Sequence, residues 1–242
     1  QFGKGITMGS LAKGIKELGF ADVVEVALGG DLTAAFEADE WAEAYKAGEK
    51  KVTSCCPAFV NMVKKHFPTL MPNVSTTVSP MCAVSRMVKA KDPEAITVFI
   101  GPCVAKKDEI LDLSLDGNAD YVLTYNELQC MFEARNIVLT PEAENIQHGS
   151  IYGKKFAGSG GVTAAVLEAM KEKHGVADVN VMVCNGAAEC KKALMLLKAG
   201  RLPADFVEGM ACEGGCVSGP GCAKCEFDAR KDRQALLAQA DD

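Results

Sequence analysis

The chain has 242 residues, 48 % hydrophobic and 24 % charged, with a formal net charge of -6 at pH 7. Such a composition excludes a disordered chain, and no apolar run reaches the roughly 20 residues that cross a bilayer. Lysines alternate with acids, as in "KKDEI" and "KEKHG", without a basic stripe, so neither nucleic acid nor membrane is an expected partner and a cytoplasmic location is expected.

The opening "QFGKGITMGS" lacks the apolar segment of a signal peptide, and Gln1 in place of an initiator Met leaves room for an upstream segment. "SLAKGIKELGF" puts Leu11, Ile15 and Leu18 on one helical face and stops at Gly19. "DVVEVAL" reads as a short strand, and "TAAFEADEWAEAYKAG" as a helix ending at Gly48. "PAFVNMVKKHF" is predicted helical, with Pro57 in its first turn. The helix "PMCAVSRMVKA", the buried strand "ITVFIG" and the strand-to-helix run "YVLTYNELQCMFEAR" follow. "GVTAAVLEAMKEKHG", "VNVMVCNG", "AECKKALMLLKAG" and "DFVEGMA" keep up the alternation, and "ARKDRQALLAQ" reads as a closing helix. "DLSLDGNAD" and "TPEAENIQHGS" read as surface loops. The alternation predicts an α/β architecture.

Eleven cysteines depart from average usage, and an odd count cannot pair completely within the chain. Cys55 and Cys56 lie between a short strand and a helix, Cys103 follows "ITVFIG", and Cys212 and Cys216 follow "DFVEGMA". Loops at the carboxyl ends of strands are where ligand crevices form in α/β sheets. Cys212 and Cys216 flank "EGG", whose glycines permit a tight loop with amides close to a cluster's sulfides. With Cys56 and Cys103 they make four thiolates, the number a cubane iron-sulfur cluster takes. Neighbours on an extended chain point to opposite sides, so of Cys55 and Cys56 one serves as a ligand and the other does something else. A helix N-terminus and a metal centre would lower that second thiol's pKa and suit it to proton transfer. Two plainer readings stand beside this: buried free thiols, or a local zinc or small cluster site within "CEGGCVSGPGCAKC". The latter would leave Cys56 and Cys103 without a purpose. His66, His148 and His174 are scattered, which gives a histidine metal site little support.

"TSCCPAF", "GPCVAKKDE" and "EGMACEGGC", in this order, resemble the three signature motifs of the active-site domain of iron-only (FeFe) hydrogenases. "GGDLTAAFEADE", Ser79-Pro80 and "FAGSGGV" extend the resemblance over nearly the whole chain, 1–242, as one H-cluster catalytic domain. It implies two lobes of mostly parallel sheet flanked by helices, with the metal cluster in the cleft between them. It also implies that Cys56, Cys103, Cys212 and Cys216 hold a 4Fe-4S cubane. Cys216 would bridge to a diiron subcluster carrying carbon monoxide, cyanide and azadithiolate. Cys55 would pass protons to that azadithiolate, with Glu109, Ser75, Glu37 and Glu40 supplying the rest of the path. Lys106 would hydrogen-bond a cyanide, and Met210, Phe156 and Pro80 fall where the family walls or flanks the site.

The implied activity is interconversion of H2 with protons and electrons, with ferredoxin or another iron-sulfur carrier or subunit as electron partner and maturation enzymes to install the diiron unit. A hydrogen sensor and an iron-sulfur assembly protein lacking the diiron unit are the alternatives. Gly101, Met81 and "VSGPGCAKC" depart from the common family pattern and leave the ligand set untouched. On plainer grounds, Glu109 would favour a helix N-terminus, and Glu37 and Glu40 would form a solvated face. Lys107 reads as surface charge, and Cys82, Cys130, Cys184 and Cys190 as core or surface thiols. Cys222 and Cys225 are candidates for a further metal or a redox pair.

Overall fold

The computed structural model describes residues 1–3, 5–141, 146, 148–223, 234, 237 and 238. In chain order the elements are α1 (Met8–Glu17), α2 (Ala27–Ala47), β1 (Lys51–Val52), α3 (Pro57–His66), α4 (Pro80–Lys91), β2 (Val98–Gly101), α5 (Lys106–Glu109), β3 (Tyr121–Thr124), α6 (Tyr125–Ala134), α7 (Ile151–Lys155), α8 (Gly161–His174), β4 (Val181–Asn185), α9 (Ala187–Lys198) and β5 (Phe206–Met210). Short 3-10 turns occupy Pro68–Asn73 and Cys216–Ser218.

Both sheets are parallel. One has the order β1-β5-β4, with Val52 opposite Val207 and Asn185 opposite Met210; the other pairs β2 with β3, Gly101 opposite Thr124. Strand β5 is buried along its whole length, as expected for a central parallel strand covered on both faces. Its side chains divide between two cores. Phe206 and Met210 join Trp41 of α2 and Val166 and Met170 of α8, with Trp41 stacked on Phe206 at 4.3 Å between ring centroids. Val207 faces the other way, into a core of Phe59 and Val63 from α3 and Cys190 and Leu194 from α9. The smaller sheet has its own apolar contacts, with Met81, Ala119 and Val122 in one cluster and Ile15, Leu128 and Phe132 in another. These are the two lobes of parallel sheet flanked by helices that the motifs imply.

Helix α2 joins the lobes by packing on α4, α7 and α8. It approaches α4 so closely that a Cβ at Gly29 would lie 2.2 Å from the Pro80 carbonyl oxygen. Only glycine permits that separation.

The helices expected at "SLAKGIKELGF", "PAFVNMVKKHF" and "PMCAVSRMVKA" are present, each with local reasons to start. Thr7 and Ser10 form a capping box on α1, Pro57 opens α3, and Ser79 caps α4 ahead of Pro80. "DVVEVAL" is not a strand. The Glu25 amide donates to His148 Nδ1 at 3.0 Å and its carboxylate accepts from the His148 amide at 2.9 Å, so the segment bonds to a distant loop and then enters α2 at Ala27. Within the expected loop "TPEAENIQHGS" the described residues end at Ser150, which caps the short α7. Most of "ARKDRQALLAQ", and Cys225, lie outside the described residues. Among the described residues no helix is long and apolar enough to cross a membrane.

Candidate metal centre and proton path

Parallel strand pairing brings the cysteine motifs together. Thr53 extends the pairing of β1 on β5: its amide donates to the Val207 carbonyl at 3.0 Å, and its hydroxyl accepts from the Gly209 amide at 3.0 Å. Cys55 and Cys56 therefore leave β1 at the same end of the sheet as Cys212 leaves β5. Cys103 leaves the carboxyl end of β2 in the other sheet. The two loops are joined where the Gly221 amide donates to the Pro102 carbonyl at 2.9 Å. Gly214 and Gly215 turn the chain between Cys212 and Cys216 at φ of 83° and 87°, a region costly for any residue with a Cβ.

Cys56, Cys103, Cys212 and Cys216 are mutual neighbours: for every pair among them, charge on one disfavours charge on the other. Burial is the first cause of the raised pKa values of Cys212 and Cys216, pushed up to about 11 and about 12. Burial also raises Cys103, against the opposing pull of the Lys106 ammonium. Such a group of thiols is costly to ionise until cations join it.

Among the described residues no three His, Cys, Asp or Glu side chains gather around a single ion. A cubane takes one thiolate on each of four irons, and four neighbouring thiols are what these motifs supply. The donor set thus fits the iron-sulfur group.

Cys55 lies on the other side of the pair, in the apolar core with Phe156 and Met210, and Cys216 packs against that core. Its thiol pKa is well above the ordinary value, first through burial and then through the charges of Glu37, Cys56, Cys216 and Glu208. Cys55 precedes the N-cap Cys56 of α3, with acids and other thiols around it.

Glu37 of α2 is fully buried. Neither of its oxygens has a hydrogen-bond partner among the described residues. Burial, with the charge of Glu40 next in importance, pushes its pKa to about 8, and the nearby Ser75 hydroxyl offsets only part of this. The Ser75 hydroxyl spends its proton on Glu40 Oε2 at 2.7 Å, so a neutral Glu37 is the partner able to donate to Ser75 Oγ. The Thr76 amide holds Glu40 at 3.0 Å, and Lys51 Nζ pairs with it at 3.1 Å. Cys55, Glu37, Ser75 and Glu40 thus form a line running outward from the thiol cluster. Glu37 and Glu40 are not the solvated face that the plainer reading offered.

Glu37 makes a testable contribution to stability. Its folded-state pKa exceeds the ordinary 4.5, so between these values the unfolded chain is ionised while the folded one stays neutral. The associated stability is present below pH 4.5, declines as pH rises towards 8, and is absent above it. Glu37→Gln should flatten the pH dependence of the unfolding free energy over this window, by about a few kcal/mol relative to wild type. Parallel pH profiles of the two proteins would contradict the assignment.

Glu109 stands apart from this line. Its Oε1 accepts from the Ser79 hydroxyl at 2.5 Å, and its Oε2 pairs with the Lys106 ammonium. Lys106 is buried and also reaches the Cys55 carbonyl at 3.3 Å. Burial is the largest single influence and works against its charge, yet the Glu109 carboxylate with the charges of Cys103 and Cys55 together leave its pKa raised. Glu109 thus meets Lys106 and Ser79 rather than Ser75 or Glu40. It holds Lys106, whose charge is felt by Cys103 and Cys216. Pro80 opens α4 with its carbonyl against Gly29.

Glu208 had escaped notice in the sequence. Helix α8 begins after Gly160, which has no side chain to cap it; Glu208, from β5, accepts from the Gly160 and Thr163 amides at 2.7 Å each and from the Thr163 hydroxyl at 2.6 Å. The turn it fixes carries Gly158, which bridges to Gly215 in the cysteine loop. A carboxylate in the middle of the otherwise apolar run "FVEGM" was the available signal.

The remaining thiols divide. Cys82, Cys184 and Cys190 are buried and Cys130 is exposed. Cys190 donates to the Met210 carbonyl at 3.5 Å. Cys222 donates to the Val217 carbonyl at 3.0 Å, and its charge reaches Cys212.

The family model described as iron only hydrogenase large subunit, C-terminal domain, matches residues 1–220. The periplasmic Fe hydrogenase large subunit of Nitratidesulfovibrio vulgaris is 30 % identical over 264 residues, covering 89 % of this chain and 62 % of that protein. The cytosolic Fe-S cluster assembly factor narfl of Xenopus tropicalis is 25 % identical, covering 79 % of this chain and 50 % of its own length. The solved structure of HydA(deltaEFG), from work on stepwise FeFe-hydrogenase H-cluster assembly, matches with a TM-score of 0.76 at 26 % identity, covering 96 % of this chain and 78 % of that one. The chain spans between half and two thirds of the length of these two sequence relatives. With its thiols gathered between two parallel sheets and its residues matched from the first to beyond the last of those thiols, the chain belongs to the family of iron-only hydrogenase large subunits, in their C-terminal domain.

Proposed function

We propose that this chain is the catalytic core of an FeFe-hydrogenase, interconverting H2 with protons and electrons. The observation that carries this reading is the buried line from Cys55 through Glu37 and Ser75 to Glu40, since a protein that only holds or transfers clusters has no use for a proton path. Cys56, Cys103, Cys212 and Cys216 would hold the cubane, and Cys216 would also meet a diiron subcluster with carbon monoxide, cyanide and azadithiolate. Bound there, the two parts would supply single-electron transfer and the place where H2 is split or formed.

The chain's own groups would do the rest. Cys55, kept neutral by burial, presents an S–H proton on the side of the motif away from the cubane ligand. The apolar side chains of Phe156 and Met210 exclude bulk water from that thiol, so its protons travel by side chains. Neutral Glu37 donates towards Ser75, and Ser75 towards Glu40. Lys106, locked by Glu109, offers an ammonium to an anionic ligand such as cyanide. A ferredoxin or another iron-sulfur carrier or subunit would exchange electrons with the cubane, maturation enzymes would install the diiron unit, and neither nucleic acid nor membrane takes part.

After anaerobic maturation, exposure to D2 in H2O should yield HD and H2, followed by mass spectrometry. No exchange from a sample with its full iron complement would favour the role carried by the assembly-factor relative.

A further inference from the structure

Two thiols outside the metal centre take no part in the proton line. Cys184 lies near the end of β4 and Cys190 near the start of α9. Both are buried, at 1 % and 0 % exposure, yet the turn that joins them, Asn185 to Glu189, is exposed at every residue except Gly186. The two thiols are hydrogen-bonded to one another, and the Met210 carbonyl is a second acceptor for Cys190 at 3.5 Å. That carbonyl also accepts from the Gly186 amide at 2.8 Å, which ties the turn to the end of β5. The core they occupy also holds Cys56, so the pair stands behind a proposed cubane ligand.

Sulfurs already in hydrogen-bonding contact need only a small shift to reach the roughly 2.0 Å of an S–S bond. The pair is also asymmetric. The contact with Cys190 lowers the Cys184 pKa, against burial and the charges of Glu189 and Glu208, and the same contact, then burial, raises Cys190. Cys184 is therefore the readier nucleophile and Cys190 the thiol that resolves it.

We propose that Cys184 and Cys190 are a peroxide-reactive dithiol that closes to a disulfide behind the metal centre. The proposal goes beyond the hydrogenase reading and needs no H2 turnover. Hydrogen peroxide is small enough to enter by local opening of the exposed turn. The Cys184 thiolate attacks one peroxide oxygen, the O–O bond breaks, and the departing hydroxide takes the proton Cys184 gave up and leaves as water. Cys190 sulfur then attacks the sulfenic acid at Cys184: the S–S bond forms, the S–O bond breaks, and the Cys190 proton leaves with the hydroxide as a second water. The two sulfurs together lose two electrons, and the peroxide gains them. A dithiol protein or small thiol, itself becoming a disulfide, restores the pair.

The test uses the cluster-loaded protein, kept anaerobic, treated briefly with hydrogen peroxide, then quenched, unfolded and alkylated. Trypsin releases residues 174–191 as one peptide that carries both thiols. In wild type this peptide should turn unlabelled and lighter by two hydrogen atoms about 10-fold faster than Cys82, a buried thiol beside Arg86 and Glu109, loses its label. Cys190→Ser should halt at a sulfenic acid on Cys184, trapped by dimedone, whereas Cys184→Ser should leave Cys190 open to alkylation. The wild-type comparison stands even where a serine variant fails to fold. A 174–191 peptide that keeps both labels as long as Cys82 keeps its own would overturn the proposal. A disulfide that forms only after the iron has been lost would overturn it too, since the pair would then follow damage to the cluster.

Discussion

Cys55→Ala is expected to leave the iron complement and the cluster spectra unchanged while lowering H2 turnover about 10²–10⁴-fold, the range a positioned acid or base contributes. The expectation follows from the opposite placements of two adjacent side chains. Cys56 shares its surroundings with Cys103, Cys212 and Cys216, whereas Cys55 lies in the apolar core with Phe156 and Met210, within reach of the Glu37 charge. Alanine removes the S–H group that begins the line and leaves the ligand set intact. The loss should fall on kcat in both directions, because Glu37, Ser75 and Glu40 are then cut off from their inner end. Activity equal to wild type would show that protons enter by another way, and loss of iron would show that Cys55 is a ligand.

Cys103→Ala should abolish the cubane, with iron falling from about four per chain to near none and the visible absorption lost with it. Cys103 is the one proposed ligand that leaves the smaller sheet; Cys56, Cys212 and Cys216 all leave the β1-β5 side. Its removal leaves one iron without a thiolate and breaks the only ligand bridge between the lobes. Because a cluster that binds the folded chain stabilises it by mass action, the variant should also unfold at a lower temperature than the loaded wild type and at about the same temperature as the unloaded one. That last comparison separates loss of the metal from misfolding. A variant retaining about four irons would remove Cys103 from the ligand set.

Much of this arrangement was legible in the residues, for identifiable physical reasons. Helices α2, α3 and α4 announce themselves by glycine or proline at their ends and by side chains repeating at helical spacing, and all are present. The placement of cysteines after "ITVFIG" and "DFVEGMA" pointed to strand ends, and β2 and β5 occupy those runs. "DVVEVAL" failed because a run of valines reports only the wish to be buried, and the partner for its backbone was a loop more than a hundred residues away. Glu109 lies off the line of Ser75 and Glu40. Its spacing from Lys106 places the two side by side on one helical turn, and that local pairing outweighs any connection to Ser75 and Glu40. The carboxylates near the Cys55 thiol come from α2 and β5, which no local reading of "TSCCPAF" contains.

The most direct test of the central claim, that these four cysteines carry a cubane joined to a diiron unit, is an anaerobic infrared spectrum of the protein produced together with the maturation enzymes. Wild type and Cys55→Ala should show sharp bands from iron-bound carbon monoxide and cyanide, and Cys103→Ala should show none. A wild-type spectrum empty of such bands, from a sample whose iron content shows the cubane to be in place, would contradict it.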